Sequence, residues 1–275
     1  MYKRVLIALD LEGVNNVVGE PYQGLGKNTE QWKIAVRQAE LEVNTASRAL
    51  FDAGVEKVGL WDNHGGGGNV DPNALDSRII LHSHDNSLPR MSFAIGEYDC
   101  VCYFGYHTME GTLGGVLAHT MSSKEIQYYK LNGRYIGEVD MDSYISAEYG
   151  MSSVFFCGGD RSCLQAKEVV KNIVTVITKM EISRNKAVFR DNDKLLEDIR
   201  ENVTKAVKTE LEPKRLLFPA VMEKSFKRVE DAEKYLARLR LANLNANYLP
   251  DTILGYDAHT VVCTVCNINE FIQTI

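Results

Sequence analysis

Residues 4–61 read as strand, long helix, strand, and that order fixes most of what the chain can become. The run "RVLIAL" (4–9) is short and continuously apolar, the pattern of a strand buried on both faces. From residue 28, "NTEQWKIAVRQAELEVNTASRALFDAG" carries Trp32, Val36, Ala39, Val43, Ala46 and Leu50 at helical spacing. An Asn28/Gln31 pair resembles a capping box at its start, and Gly54 serves as its C-cap. "VEKVGLW" (55–61) is strand-like again and runs into "DNHGGGGN", a loop too rich in glycine for any regular element. Such a βαβ unit closes into a parallel sheet through a right-handed crossover. The expected fold class is therefore α/β, a mostly parallel sheet flanked by helices. Further strands are expected at "DCVCYFGY" (99–106), "SVFFCGGD" and "VTVIT" (174–178), with a helix at "MDSYISAEYG". Asn132-Gly133 within "YYKLNGRYIG" is a hairpin turn signal. Past residue 185 the texture turns amphipathic and charged: "DNDKLLEDIRENVTKAVK" and "VEDAEKYLARLR" read as helices, "VMEKSF" and "HTVVCTVC" as strands. This predicts an α/β domain over 1–185 and a smaller C-terminal α+β region over 186–275, with no Pro/Gly-rich linker at the seam.

The expected parallel sheet also says where function should lie, because ligands bind outside the carboxyl ends of its strands. The first strand ends in Asp10 and Glu12, which in extended chain face the same way and stand side by side. The second runs into Asp62 and His64, and "CVCYFGY" runs into His107. His119 in "GGVLAHTM" and Glu138 beyond the hairpin lie on adjacent chain. Each has a plain alternative reading. Asp10 suits a turn cap, Glu138 and Asp140 suit the acidic first turn of a helix, and a single loop histidine needs no special role. Asp62 reads as an orienting partner of His64 or as a turn residue. His82 and His84, in "LHSHDNSLP", read as surface polar residues.

The combination is what the plain readings do not cover, since paired carboxylates are costly unless one is protonated or a cation lies between them. Mixed His and Asp/Glu donors suit zinc, with manganese or iron as poorer fits. Five candidate ligands exceed what one catalytic zinc takes, so two ions sharing a carboxylate fit the count. The chemistry expected of such a pair is hydrolysis.

Bulk properties narrow the class. A net charge of -6 with a pI near 5.6 argues against a nucleic-acid partner. Six cysteines, mostly in apolar strand-like runs, read as reduced core thiols rather than a disulfide scaffold, and the lone CxxC at 263–266 lacks the second pair a zinc site needs. The apolar start before Asp10 is too short for a signal peptide and no stretch approaches a membrane span, so a cytoplasmic protein with no membrane partner is expected.

At "DLEG" (10–13), "DNH" (62–64), "GYH" (105–107), "HTM" (119–121), "NGRYIGE" (132–138), "GGD" (158–160) and "ISRNKAV" (182–188), in that order and spacing, the chain resembles the DppA-type zinc D-aminopeptidases over roughly its first 190 residues. The resemblance implies that Asp10, Glu12, His64, His107 and Glu138 hold two zinc ions per subunit, with Asp10 shared. It also implies that His119 is the catalytic histidine, a nucleophile in the family; chemistry alone makes it a nucleophile or a proton-transfer group. The implied substrate is a short peptide or amide with an N-terminal D-residue, of the D-Ala-D-Ala type. The implied assembly is a ring-shaped homo-decamer whose active sites open to an inner chamber. Two features depart from the family pattern, the "GGGGN" loop after His64 and the bulky Trp61 beside it.

Three other readings compete. The "ALDLEG" stretch looks like the DxE opening of two-metal 3'-5' exonucleases, but no His or Tyr here satisfies the Hx5D or Yx3D that class requires. A metal-dependent phosphoesterase would use the same two-metal site. A non-catalytic module holding a small anion on the glycine loop is the third, although no GK[ST] follows, which excludes a P-loop.

Overall fold

The computed structural model describes residues 1–21, 24–82 and 87–275. Its centre is a six-stranded sheet in the order β3-β2-β1-β4-β7-β8, with every neighbouring pair parallel. The strands are β1 (Arg4–Leu9), β2 (Lys57–Asp62), β3 (Ile80–His82), β4 (Cys100–Tyr106), β7 (Ser152–Gly158) and β8 (Val174–Ile177). β1 and β2 are joined by α1 (Glu30–Asp52), the expected βαβ unit. Thr29, not Asn28, caps that helix, accepting from the Trp32 N–H; Asn28 lies at φ 72°, and the Gln31 side chain instead accepts from the Val18 and Gly19 amides. An amide oxygen that can hold two loop N–H groups does more there than as a cap.

Alternation along the strands splits the core in two. Val5, Ile7, Leu9, Val58, Leu60, Cys102 and Phe104 face α1 and α4 (Asn192–Lys208), while Leu6, Ala8, Val101, Tyr103 and Phe156 face the other way. On that second face lie α2 (Glu138–Glu148) and α3 (Asp160–Val169). Beyond them is a five-stranded antiparallel sheet, ordered β12-β13-β11-β5-β6. It comprises β5 (Ile126–Leu131), β6 (Arg134–Ile136), β11 (Ala220–Phe226), β12 (Asn245–Asp251) and β13 (Gly255–Val265), joined by α5 (Val229–Leu241) and α6 (Ile268–Thr274). A hairpin of β9 (Lys179–Ser183) and β10 (Lys186–Phe189) stands apart.

Residue 185 is thus not a seam in space. The antiparallel sheet takes β5 and β6 from 126–136, and α4, expected in the smaller region, buries Leu195, Ile199 and Val203 in the same cluster as α1. Residues 186–275 contribute to both apolar clusters, α4 to the one with α1 and the antiparallel strands to the other. The Asn132-Gly133 turn is where it was expected, with φ 50° and 79°. Five of the six cysteines are buried and none is paired.

Candidate metal centre

β1 lies between β2 and β4, the point where the strand order reverses, and there the loops leaving the two sides diverge to open a crevice. All three strands empty into it. Two glycines allow the close fit that aims them: Gly105, at φ 69°, has no room for a Cβ, which would stand 1.9 Å from the Asp10 carbonyl oxygen. One added at Gly13 would stand 2.1 Å from the Tyr106 carbonyl oxygen. The Asp10 and Gly13 amides donate to the Phe104 and Gly105 carbonyls, so the loop carrying Asp10 and Glu12 is laced directly onto the end of β4, from which His107 leaves.

The five expected ligands converge. His64 Nδ1 lies 3.0 Å from both Asp10 Oδ1 and Glu12 Oε2, and His107 Nε2 lies 3.3 Å from Asp10 Oδ2 and 3.5 Å from Glu138 Oε1. Asp10 therefore offers one oxygen to each side. Both rings are oriented from behind by backbone carbonyls, Leu25 O for His64 Nε2 and Thr108 O for His107 Nδ1. A carbonyl only accepts, so the hydrogen sits on that nitrogen and the lone pair of the other points at the carboxylates. His107 Nε2 is buried and aligned with no hydrogen-bond partner. A lone pair facing two anions is satisfied only by a cation, a proton or a metal ion. Electrostatics carry the same demand. Burial would lower the His64 pKa, but the Glu12 and Asp10 carboxylates beside it lift it to about 11. His107 is likewise raised, against burial, by Glu138 and Asp10. Conversely, burial would raise Asp10 and Glu138, yet the neighbouring imidazoles hold Asp10 well below the ordinary range and bring Glu138 to about 2.

His119 belongs to the same cluster. Its ring stacks on His107 at 3.9 Å between centroids and 10° between planes, and its Nδ1 donates to the Leu117 carbonyl, 2.8 Å away. Nε2 is left as the basic nitrogen. Ligand atoms of His107, His119 and Glu138 all lie within 4.8 Å of one another, as do those of Asp10, Glu12 and His107. The carboxylate and imidazole donors gathered in these two groups suit zinc.

Several supporting residues escape the sequence reading. Lys179, wholly buried, donates through Nζ to the carbonyls of Glu12 (2.5 Å), Val14 (2.9 Å) and Val17 (2.6 Å), and so clamps the loop that bears Glu12. Its only trace in sequence is a lone cation within "VITKMEIS". Asp62 does not orient the His64 ring: its carboxylate accepts from the Asn69 amide and side chain, and Asn69 in turn donates to the His64 carbonyl, which pins the glycine loop. Asp140 keeps its plain role, accepting from the Gly137 amide at the start of α2. His82 is no loose surface group; it ends β3, is half-buried, bonds the Tyr98 hydroxyl and stacks on Phe93. His84 lies outside the described residues.

A doubly covered α/β sheet with carboxylates and imidazoles gathered at its switch point defines a class, the metal-dependent hydrolases of α/β architecture. The family model for peptidase family M55, described as D-aminopeptidase, matches residues 3–248, and the chain belongs to that family. The match runs well past residue 190, where the quoted motifs end. A D-aminopeptidase of Bacillus subtilis (strain 168) is 24% identical over 184 residues, 66% of this chain and 65% of that protein, so the alignment spans just under two thirds of the relative. The solved structure of the "Zn-dependent D-aminopeptidase DppA from Bacillus subtilis, a self-compartmentalizing protease" superposes with a TM-score of 0.81 at 21% identity, over 98% of this chain and 94% of that one. No helix among the described residues is long and apolar enough to cross a membrane.

Proposed function

We propose that this chain is a two-zinc aminopeptidase that hydrolyses short peptides or amides bearing an N-terminal D-amino acid. The observation that carries the reading is the position of Asp10, whose two oxygens face His64 and His107 separately, with Glu12 and Glu138 completing the two sides. Zinc held there would supply Lewis acidity to the scissile carbonyl and to the attacking water. The chain's own part is to position and to move protons. Asp10, Glu12, His64, His107 and Glu138 would hold the ions. His119, fixed through Nδ1, presents a basic Nε2 beside them to take or deliver a proton, or to attack. Membership of a D-aminopeptidase family favours peptide over phosphoester substrates.

The reading extends to a cytoplasmic homo-oligomer. The related DppA is described as self-compartmentalizing, and this chain exposes apolar side chains that a second copy would cover: Leu113, Val188 and Phe189, with Ile253 and Leu254 on the turn between β12 and β13.

The test pairs metal analysis with turnover. The purified protein should hold two zinc ions per chain and cleave D-alanyl-D-alanine in preference to its L,L isomer. Glu12→Ala should lose metal and activity together, whereas His119→Ala should keep both ions and lose at least about a hundredfold in kcat. Near-normal turnover of His119→Ala would remove that residue from the mechanism.

A further inference from the structure

The metal cluster occupies one side of a cavity of about 760 Å³, in the range that encloses a drug-sized ligand and far beyond the needs of dialanine. Its lining also includes the apolar side chains of Trp61, Leu88, Met91, Phe93, Met121 and Ile272, interleaved with polar groups such as Arg90, Ser122, Lys124 and Arg184. The apolar part of that wall is built rather than incidental. It begins beside the metal ligands, since Met121 donates its amide to Glu138 Oε1 at 2.7 Å and Trp61 precedes His64 by three residues at the end of β2. Its aromatic part is held in place. Arg90, paired through two nitrogens with the buried Asp142, lies 4.8 Å over the Trp61 ring. Phe93 is tilted against Trp61 at 6.0 Å and is backed by the His82 ring at 4.4 Å. Tyr106 donates to the same Asp142 carboxylate, which ties the wall to β4. Ile272 closes it from α6, beyond residue 248 where the family match ends.

We infer that Phe93, Met121 and Ile272, with the buried Trp61 backing Phe93, form a side-chain subsite for a bulky apolar or aromatic residue flanking the scissile bond. This rests on the aminopeptidase reading and deepens it. Dialanine would leave these surfaces wetted, whereas a leucyl or phenylalanyl side chain would displace water from them. One methylene in such a pocket is worth roughly ten- to two-hundredfold in kcat/KM.

The zinc-loaded full chain is assayed on two series. One varies the N-terminal residue (D-Ala, D-Leu, D-Phe) ahead of a constant D-Ala; the other varies the second residue behind a constant D-Ala. In one of the series kcat/KM should rise at least about tenfold from Ala to Leu or Phe. Ile272→Trp, which fills the subsite, should lower kcat/KM for the favoured large substrate at least about tenfold more than for dialanine, while Ile272→Ala should move the preference towards the larger side chain. Zinc content and melting temperature, measured on both variants, show whether each has folded. Hydrolysis of dialanine with both series flat or falling overturns the subsite and leaves the aminopeptidase reading standing, as does an equal effect of Ile272→Trp on all substrates. Failure on every compound, dialanine included, with zinc bound, overturns both.

Discussion

His107 carries the sharpest constraint in the molecule: a buried imidazole with its hydrogen committed to the Thr108 carbonyl and its lone pair aimed between Asp10 and Glu138. Lys179 matters for a different reason. It is a buried ammonium whose three donors are all used on the carbonyls of residues 12, 14 and 17, so it holds the backbone of Glu12 without touching its carboxylate. Burial lowers its pKa to about 8, against the pull of Glu181, Glu42 and Glu12. Outer groups that orient ligands typically contribute ten- to a hundredfold in metal affinity. Lys179→Met is therefore expected to weaken zinc binding by about ten- to a hundredfold, read by competition with a chelator. Lys224→Met is the control: this lysine is also buried, but in β11 among Tyr129, Phe226 and Tyr235, and it should change stability and leave zinc affinity intact. Equal zinc affinity in wild type and Lys179→Met would make Lys179 a packing residue only.

The approach of the β1 exit loop to the end of β4 converts a generic α/β sheet into this site. Gly105→Ala tests it, because the substitution imposes a side chain at φ 69° and drives a Cβ onto the Asp10 carbonyl. Left-handed backbone alone costs about 1–2 kcal/mol, so a loss of at least about 2 kcal/mol in unfolding free energy is expected, accompanied by loss of zinc. Unchanged stability would mean that the two loops are not in this register. Most of the regular elements are legible in the sequence. The buried strands, α1, the Asn-Gly hairpin and the amphipathic helices announce themselves by local period. β3 with three residues, β10, β12 and α6 do not, because they are short or bury few side chains, and β9 hides because its buried positions are the polar Lys179 and Glu181 while Met180 and Ile182 are exposed. The cluster of carboxylates and imidazoles is legible because Asp10, Glu12, His64 and His107 follow apolar strands and Glu138 follows the hairpin. Lys179, Asn69 and the Arg90–Asp142 pair are not, since their partners lie far along the chain or act through backbone atoms that sequence does not display.

The apolar cluster around α1 joins β1, β2, β4, β7 and α4, so ionisation inside it registers in the stability of the whole parallel sheet. Glu42, buried on α1, accepts from Gln38 and from the Asn15 amide, yet burial dominates and lifts its pKa from the ordinary 4.5 to about 7. A group raised on folding contributes stability that is full below its unfolded pKa and is lost as pH rises through its folded one. Between about pH 4.5 and 7 the folded chain binds the extra proton, so this group costs on the order of 3 kcal/mol by neutral pH. Glu42→Gln should then show a shallower fall in stability than wild type across that window, measured by urea unfolding at constant zinc; parallel curves would contradict the shift. The central claim is that cations balance the Asp10–Glu12 pair and its imidazoles. Anomalous diffraction at the zinc absorption edge, from crystals grown with zinc, tests it most directly. The account predicts two peaks, one on each side of the Asp10 carboxylate, and a map with no peak there, or one peak that Asp10 does not touch, would contradict it.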